Sequence, residues 1–179
     1  MPRIQRTREV MLAVGLTIGS LACAPVRVST SLERGLDFAQ YKSFTFAAGD
    51  RFVTGDPRLD NNEFFQDRIK RSATRVLEAH GFEAASPGTA QLIVHYHANV
   101  NQRVDVNELD SRYGYCESCH SSIYDAGTIT LDFVDARTNR LVWRGWAEGS
   151  LDGIDDQDIL EQRVDEAVTR ILAKLPPRV

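Results

Sequence analysis

The sequence predicts a mixed α/β (α+β) domain, a two-layer sandwich with two helices packed on one face of a mainly antiparallel sheet of about four strands. Three observations support this fold class. The apolar patterns follow one another in the order β-α-β-β-β-α, and each helical segment carries a single apolar stripe that a sheet can cover. The 179 residues, 42% hydrophobic and 26% charged, have the length and composition of one globular domain.

The first half of the domain contains one predicted strand and one predicted helix. Residues alternate in polarity over Tyr41–Phe46, which is typical of a strand. Asp60 and Glu63 then form a capping-box pattern, and apolar residues recur at helical spacing as far as Gly81. We therefore expect a helix from about Asn61 to His80.

The second half contains three predicted strands and a second helix. Leu92–Val100 is a nearly unbroken apolar run, as in a central strand. Thr128–Val134 alternates, Asp135 to Arg140 has turn chemistry, and Leu141–Glu148 returns as the second strand of a hairpin. An apolar stripe before Pro176 predicts the last helix, formed by Leu160, Val164, Ala167, Val168, Ile171, Leu172 and Leu175.

The N-terminal residues 1–22 are predicted to be a signal peptide. Three arginines precede the uncharged apolar run Val10–Ala22, which is too short to cross a bilayer and has the length of a secretory signal core. The run ends in Ser20-Leu21-Ala22-Cys23, which resembles the lipobox of bacterial lipoproteins, although those prefer leucine where Ser20 stands. The alternative is ordinary cleavage after Ala24, which would leave Pro25 as the first residue.

The lipobox resemblance implies that Cys23 is lipidated, with acyl chains such as palmitate anchoring the protein in a membrane. Ala24 after the cysteine, by resemblance to Gram-negative lipoproteins, favours the outer membrane, with the domain facing the periplasm. We expect residues 23–35 to form a lipid-anchored tether and residues 36–179 to form a single domain.

Composition and motifs exclude several classes of function. The net charge of −4 offers no basic surface for general nucleic-acid binding. The sequence has no phosphate-binding glycine loop, no nucleophile elbow and no His-Glu-x-x-His helix. We therefore expect no enzymatic activity, and a role as an accessory or binding module for another envelope protein.

Several segments together resemble a family of bacterial lipoproteins known as domain of unknown function 4136. The hairpin from Asp135 to Gly149 is the most specific of them, and the resemblance extends over nearly all of the chain after residue 22. It implies a lipid anchor and an α/β domain, and it brings no catalytic residues. The other segments that carry it are Asp37–Phe44, Ala79–Phe82, Ala90–His97, Gly127–Ile129 and Asp132–Ala136.

The segment Asn101–Gly127 holds Cys116-Glu117-Ser118-Cys119-His120, which matches the attachment pattern of c-type haem. Three readings stay open: covalent haem c, a disulfide or free thiols at Cys116 and Cys119, and a metal site formed with His120. Haem would make the protein an electron carrier or a subunit of a membrane electron-transfer complex. Its distal ligand would then be a histidine, either His80, His95 or His97, because both methionines lie within residues 1–22.

Two further patterns predict side-chain placement. His95 and His97 lie two apart on a strand and therefore share a face, where they are candidate metal ligands with His120 or Asp125, or simply hydrogen-bonded histidines. Trp143 and Trp146 lie three apart, so one is expected in the core and the other on the opposite face. The acidic run Asp152, Asp155, Asp156 and Asp158 is expected to cap the last helix.

Overall fold

The fold is known from a computed structural model, which describes residues 26–48, 60, 62–104, 123–154 and 156–177. The described residues form six strands and two α-helices, with a short 3-10 turn at Phe38–Gln40. The strands are β1 (Arg27–Leu32), β2 (Ser43–Phe46), β3 (Glu83–Ala84), β4 (Leu92–Val104), β5 (Ile123–Asp135) and β6 (Arg140–Ser150), and the helices are α1 (Glu63–Ala79) and α2 (Gln157–Leu172).

All six strands belong to one mixed sheet in the order β1-β6-β5-β4-β2-β3. The β2 strand is parallel to β3 and β4, because the chain passes through α1 between them, as parallel neighbours require a crossover. The remaining pairs, β1–β6, β5–β6 and β4–β5, are antiparallel. The predicted mixed α/β class with two helices is confirmed, whereas the prediction of about four mainly antiparallel strands is wrong.

The two missed strands, β1 and β3, have little apolar signal. The β1 strand has only one side chain, Val28, that packs against the core, and β3 is two residues long. Residues 27–32 lie within the predicted tether 23–35, so this part of the tether prediction is wrong: the segment is a paired edge strand. Val26, just before it, is also buried.

One core lies between the helices and the sheet. The α1 helix contributes Ile69 and Leu77, and α2 contributes Val168 and Ile171, all of them buried against apolar strand residues such as Leu131. The two helices also contact each other, so both lie on the same face of the sheet. None of the described helices is long and apolar enough to cross a membrane.

Both helices begin at a side-chain cap. Asn62 caps α1, since its Oδ1 accepts a hydrogen bond from the Phe65 N–H at 3.1 Å, so the predicted cap at Asp60 and the predicted start at Asn61 are each two residues early. Asp156 caps α2 by accepting from the Asp158 N–H at 2.6 Å, which confirms the predicted role of the acidic run for this residue. Asp155 lies outside the described residues.

The long hairpin β4–β5 shortens the predicted irregular segment. Strand pairing continues from the apolar part of β4 through Asn101, Gln102 and Arg103, opposite Ala126, Asp125 and Tyr124. The prediction of an irregular segment over Asn101–Gly127 is therefore wrong at both ends. Residues 105–122, which contain Cys116, Cys119 and His120, lie outside the described residues.

Candidate functional site: the open face of the sheet

The sheet face opposite the helices is called the open face here, because no described helix covers it. Its side chains alternate with core residues along three neighbouring strands, and the register places Asp132 between His95 and Arg144, and Thr130 between His97 and Trp146. The open face is defined by nine residues: His95, His97 and Asn99 on β4, Thr128, Thr130 and Asp132 on β5, and Arg144, Trp146 and Glu148 on β6.

Asp132 is the buried polar centre of the open face, with only 8% of its side chain exposed. Arg144 donates to it with both arms of the guanidinium, Nε to Oδ1 at 2.6 Å and Nη2 to Oδ2 at 2.6 Å. The hydrogen bonds to Asp132 raise the pKa of Arg144 above its usual value. This two-pronged contact satisfies the buried carboxylate and fixes the orientation of a half-exposed arginine.

His97 lies beside the same carboxylate. Its Nε2 is 3.8 Å from Asp132 Oδ2, and more than half of the ring side chain is exposed. His95, directly opposite Asp132, is only partly exposed and has an interaction of its own. Among the described residues, no hydroxyl is hydrogen-bonded to His97.

The hairpin of β5 and β6 carries two tryptophans, one in the core and one, Trp146, on the open face. Trp143 is buried at 1% exposure and packs edge-on against Phe133, with ring centroids 5.1 Å apart. Trp146, on the opposite side of β6, is only partly covered. The prediction that one tryptophan is in the core and the other on the far face is confirmed. Near Trp146, Arg103 forms an ion pair with Glu148 at 3.0 Å.

The predicted metal ligands come together only in part. His95 and His97 share the open face, but Asp125 lies five residues along β5 from Thr130, the partner of His97, which is roughly 17 Å at strand spacing. The suggested pairing of these histidines with Asp125 is therefore wrong. Among the described residues, no group of three or more metal-ligating side chains is present.

Five other residues were predicted to belong to a site, and the structure describes only one of them, His80. Cys23, Cys116, Cys119 and His120 all lie outside the described residues, so the lipidation site and the haem, disulfide or metal site stay predictions. His80 stands at the end of α1, where its Nδ1 is 2.8 Å from the carbonyl oxygen of Val76.

A small apolar cavity lies on the other side of the sheet, between it, the first turn of α1 and the first three turns of α2. Its volume of about 60 Å³ is about twice the space that a water molecule occupies in the liquid. Pockets for drug-sized ligands are several hundred Å³ in volume. The cavity is lined mainly by apolar side chains, among them Val26, Phe65, Leu160 and Val164, and its size fits imperfect packing of the core better than a ligand site.

The pair of Asp132 and Arg144 was not predicted from the sequence. The alternation over Thr128–Val134 places Asp132 on the side of its strand away from Ile129, Leu131 and Phe133. The missing step was the hairpin register, which places Arg144 directly across from it and so pairs opposite charges on one face. The spacing across the turn alone would place Trp143 opposite Asp132, and a register shift between Phe133 and Val134 is what brings Arg144 there.

The chain resembles known proteins in sequence family and in fold. The family model described as domain of unknown function (DUF4136) matches residues 28–177. No curated protein matches the sequence. The solved structure of a DUF4136 family protein from Bacteroides thetaiotaomicron superposes with a TM-score of 0.53 at 14% identity, covering 86% of this chain and 97% of that one.

Two other solved structures share the fold. A PDZ domain protein from Parabacteroides distasonis gives a TM-score of 0.54 at 16% identity over 88% of this chain, which spans only 38% of that protein. The PelC dodecamer from Paraburkholderia phytofirmans gives 0.50 at 12% identity, covering 87% of this chain and all of PelC. At these identities the similarity establishes the fold alone.

Proposed function

Because the chain belongs to the DUF4136 family, whose function is unknown, we propose that it is a lipid-anchored, periplasm-facing envelope protein that binds a partner protein through its open face. It acts as a non-enzymatic accessory module. The observation that carries this proposal is the buried carboxylate of Asp132, which holds Arg144 in place on an uncovered sheet face beside a partly exposed tryptophan.

The chemistry of the open face supports a protein partner. Arginine and tryptophan are enriched among the residues that dominate binding energy at protein interfaces. Arg144 uses two of its five N–H donors on Asp132, and the described residues accept none of the others. Because Asp132 already fixes the guanidinium, a partner's carboxylate or carbonyl oxygen would bind it at a reduced entropic cost.

The predicted anchor fits this placement of the domain. Cys23 precedes Val26 by three residues, a span of at most about 11 Å in an extended chain. Lipid on Cys23 would therefore hold the β1 side of the sheet close to the membrane, and the lipobox resemblance together with Ala24 favours the outer membrane. Several acyl chains on one cysteine are sufficient for stable anchoring, whereas a single chain is marginal.

Site-specific photo-crosslinking in the native cell tests the binding role. A photoreactive amino acid at Trp146 should give one discrete protein adduct, whereas the same group at Thr169, exposed on α2, should not. Arg144→Glu should abolish the adduct and weaken binding of the purified partner at least 10-fold. The matched control Arg170→Glu, on the exposed side of α2, should leave both unchanged. Equal adducts from both positions would contradict the proposal.

A second candidate function is electron transfer by covalently bound haem c. The sequence Cys116-Glu117-Ser118-Cys119-His120 favours it, since it supplies two thiols and an imidazole in the order that haem attachment requires. Protein made in a host with cytochrome c maturation would then keep a haem absorbance band after denaturation, and Cys119→Ser would remove it. Wild-type protein without that band would exclude this function and leave the binding role.

A further inference from the structure

The outer edge of β1 presents a defined set of free backbone groups. In the described part of the chain, β1 has one neighbouring strand, β6. Just after β1, the Glu33 N–H donates to the carbonyl oxygen of Val142 at 3.0 Å, so the odd-numbered residues here are the ones whose backbone groups bond to β6. Alternation in an antiparallel ladder then turns the N–H and C=O groups of Val28, Thr30 and Leu32 away from β6.

This edge lacks the features that usually protect a strand from pairing. Its six residues contain no proline and no lysine, its pairing with β6 has no bulge, and five of the six side chains are exposed, including 42% of Leu32. The opposite edge of the sheet is protected by its length, because β3 consists of only Glu83 and Ala84. The unprotected edge therefore points to a strand partner.

The chemistry of β1 is complementary to itself when the strand is reversed. We propose that β1 pairs with β1 of a second copy of this chain, antiparallel about a two-fold axis at Thr30, so that two six-stranded sheets join into one. Val28 then lies opposite Leu32 of the second copy, Ser29 opposite Ser31, and Thr30 opposite Thr30. This register pairs all three outward-facing residues, which gives six new backbone hydrogen bonds.

The charges next to the strand favour the same register. Arg27 lies opposite Glu33 of the second copy at each end of the paired strands, and no like charges face each other. The aliphatic Val28 and Leu32 meet on the helix side of the joined sheet, where they lie opposite Ala147 and Trp143 within their own chain. Thr30 lies between them on that side, opposite Gly145 of its own chain, and the side chains of Ser29 and Ser31 meet on the open face. The inference needs neither lipid on Cys23 nor a partner on the open face.

Cysteine crosslinking of the full-length protein in detergent tests the register. Paired Thr30 residues have Cα atoms roughly 5.5 Å apart, within disulfide range, so Thr30→Cys should form a covalent dimer under mild oxidation. Ser31→Cys is the matched control, because its two Cα atoms would be roughly 8 Å apart and out of range. Wild-type protein, with its native cysteines, gives the background yield of disulfide-linked dimer. Equal crosslinking of both variants would overturn the proposed register.

The oligomeric state tests the interface itself. Light scattering of the purified protein, with detergent subtracted, should give twice the mass that mass spectrometry finds for one chain, which is 20.0 kDa if all 179 residues are present. Thr30→Pro removes an outward N–H and keeps the bonds to β6, so it should raise the dimer dissociation constant at least 10-fold with an unchanged circular dichroism spectrum. If Thr30→Pro unfolds the chain, Thr30→Lys replaces it, since an edge lysine opposes pairing. A monomeric wild type, or dimerisation unaffected by the folded variant, would overturn the proposal.

Discussion

At position 145 the chain has no room for a side chain. A Cβ atom on Gly145 would lie 2.6 Å from Cγ2 of Ile171 and closer still to the ring of Trp143. Both of these side chains are at most 1% exposed, so neither can move aside without disturbing the core. The glycine thus lets α2 approach β6 closely.

We expect Gly145→Ala to lower the free energy of unfolding by about 2–3 kcal/mol, because it overpacks a rigid part of the core. Denaturant unfolding measures the change. Gly149→Ala is the matched control, since its Cβ would meet only Val26 at an ordinary 3.5 Å, and we expect a change within about 0.5 kcal/mol. Equal losses in the two variants would show that the space at position 145 does not decide the effect.

The hydroxyl of Tyr41 connects the segment just before β2 to the end of β5 through a hydrogen bond. It donates to Oδ2 of Asp135 at 2.8 Å. Burial, together with this hydrogen bond, raises the pKa of Tyr41 from 10.0 to about 12. Burial opposes ionisation of Asp135, but the hydrogen bonds from Tyr41 and from the Thr138 backbone outweigh it and lower the pKa of the carboxyl below 3.8.

These two shifts predict how stability depends on pH. The folded state keeps the Tyr41 proton longer than the unfolded state, so its contribution is complete below pH 10 and is lost as the pH rises toward 12. The contribution of Asp135 is present above its unfolded pKa of 3.8 and is lost as the pH falls through the lower folded value. In Tyr41→Phe, the loss of stability at alkaline pH should disappear, and the loss of stability at acid pH should become smaller.

Unfolding free energies measured from pH 2 to 12 check this, with Tyr124→Phe, which removes a tyrosine hydroxyl elsewhere on β5, as the control. At neutral pH we expect Tyr41→Phe to cost about 1 kcal/mol, because Asp135 loses one of its donors. If Tyr41→Phe loses as much stability at alkaline pH as the wild type, the raised pKa of Tyr41 is not the cause of that loss.

At the scale of single residues, the sequence was informative wherever alternation decides a side chain's direction. It placed Trp143 and Trp146 on opposite sides of β6. It also placed His95 and His97 on the same side of β4. It did not identify the contact of Arg144 with Asp132, because that depends on the cross-strand register, which local polarity leaves open.

Between the two helices, a single arginine connects elements that are far apart in the sequence. Arg68 on α1 donates to Asp165 on α2 from Nε at 3.0 Å and from Nη2 at 2.5 Å, and to Glu161 from Nη1 at 2.7 Å. Burial opposes ionisation of Asp165, but Arg68 outweighs it and lowers the pKa of the carboxyl. Less than a third of the Arg68 side chain is exposed, so solvent screens the pair only in part.

We expect Arg68→Gln to lower the free energy of unfolding by about 1–2 kcal/mol, because it leaves two partly buried carboxylates without their cation. The matched control is Arg170→Gln, which removes an exposed pair with Glu166 within one helix and should cost about 0.3–0.5 kcal/mol. Denaturant unfolding measures both. A double-mutant cycle with Asp165→Asn should show non-additivity, and simple additivity would contradict the coupling.

At the scale of elements, the helices and central strands were predictable because burial imposes a period on their sequences. The ends of β4 and β5 were not, since polar residues such as Asn101, Gln102 and Arg103 are exposed and stay in the sheet through pairing alone. The β1 strand was missed for the same reason. Its position depends on the backbone of β6, which no local pattern in residues 27–32 reveals.

For the whole molecule, the layered arrangement divides structural and functional roles between two faces. The helices and the sheet face that they cover together supply most of the buried apolar residues, which is why composition and periodicity predicted this layer. The other face has no described helix packed on it, so the ion pair of Asp132 with the half-exposed Arg144 and the partly exposed Trp146 do not serve to fill the core. The proposed binding role in the envelope depends on the lipid anchor predicted at Cys23.

That attachment is tested at Cys23. We expect Cys23→Ser to move the protein from the membrane fraction to the soluble periplasmic fraction, because the thiol that would carry the acyl chains is gone. The same substitution at Cys116 is the matched control and should leave the protein in the membrane fraction. Intact mass spectrometry of the wild type should show a chain that begins at Cys23 and carries acyl groups. An unprocessed Met1 terminus, or Cys23→Ser protein that stays with the membrane after a carbonate wash, would contradict the anchor.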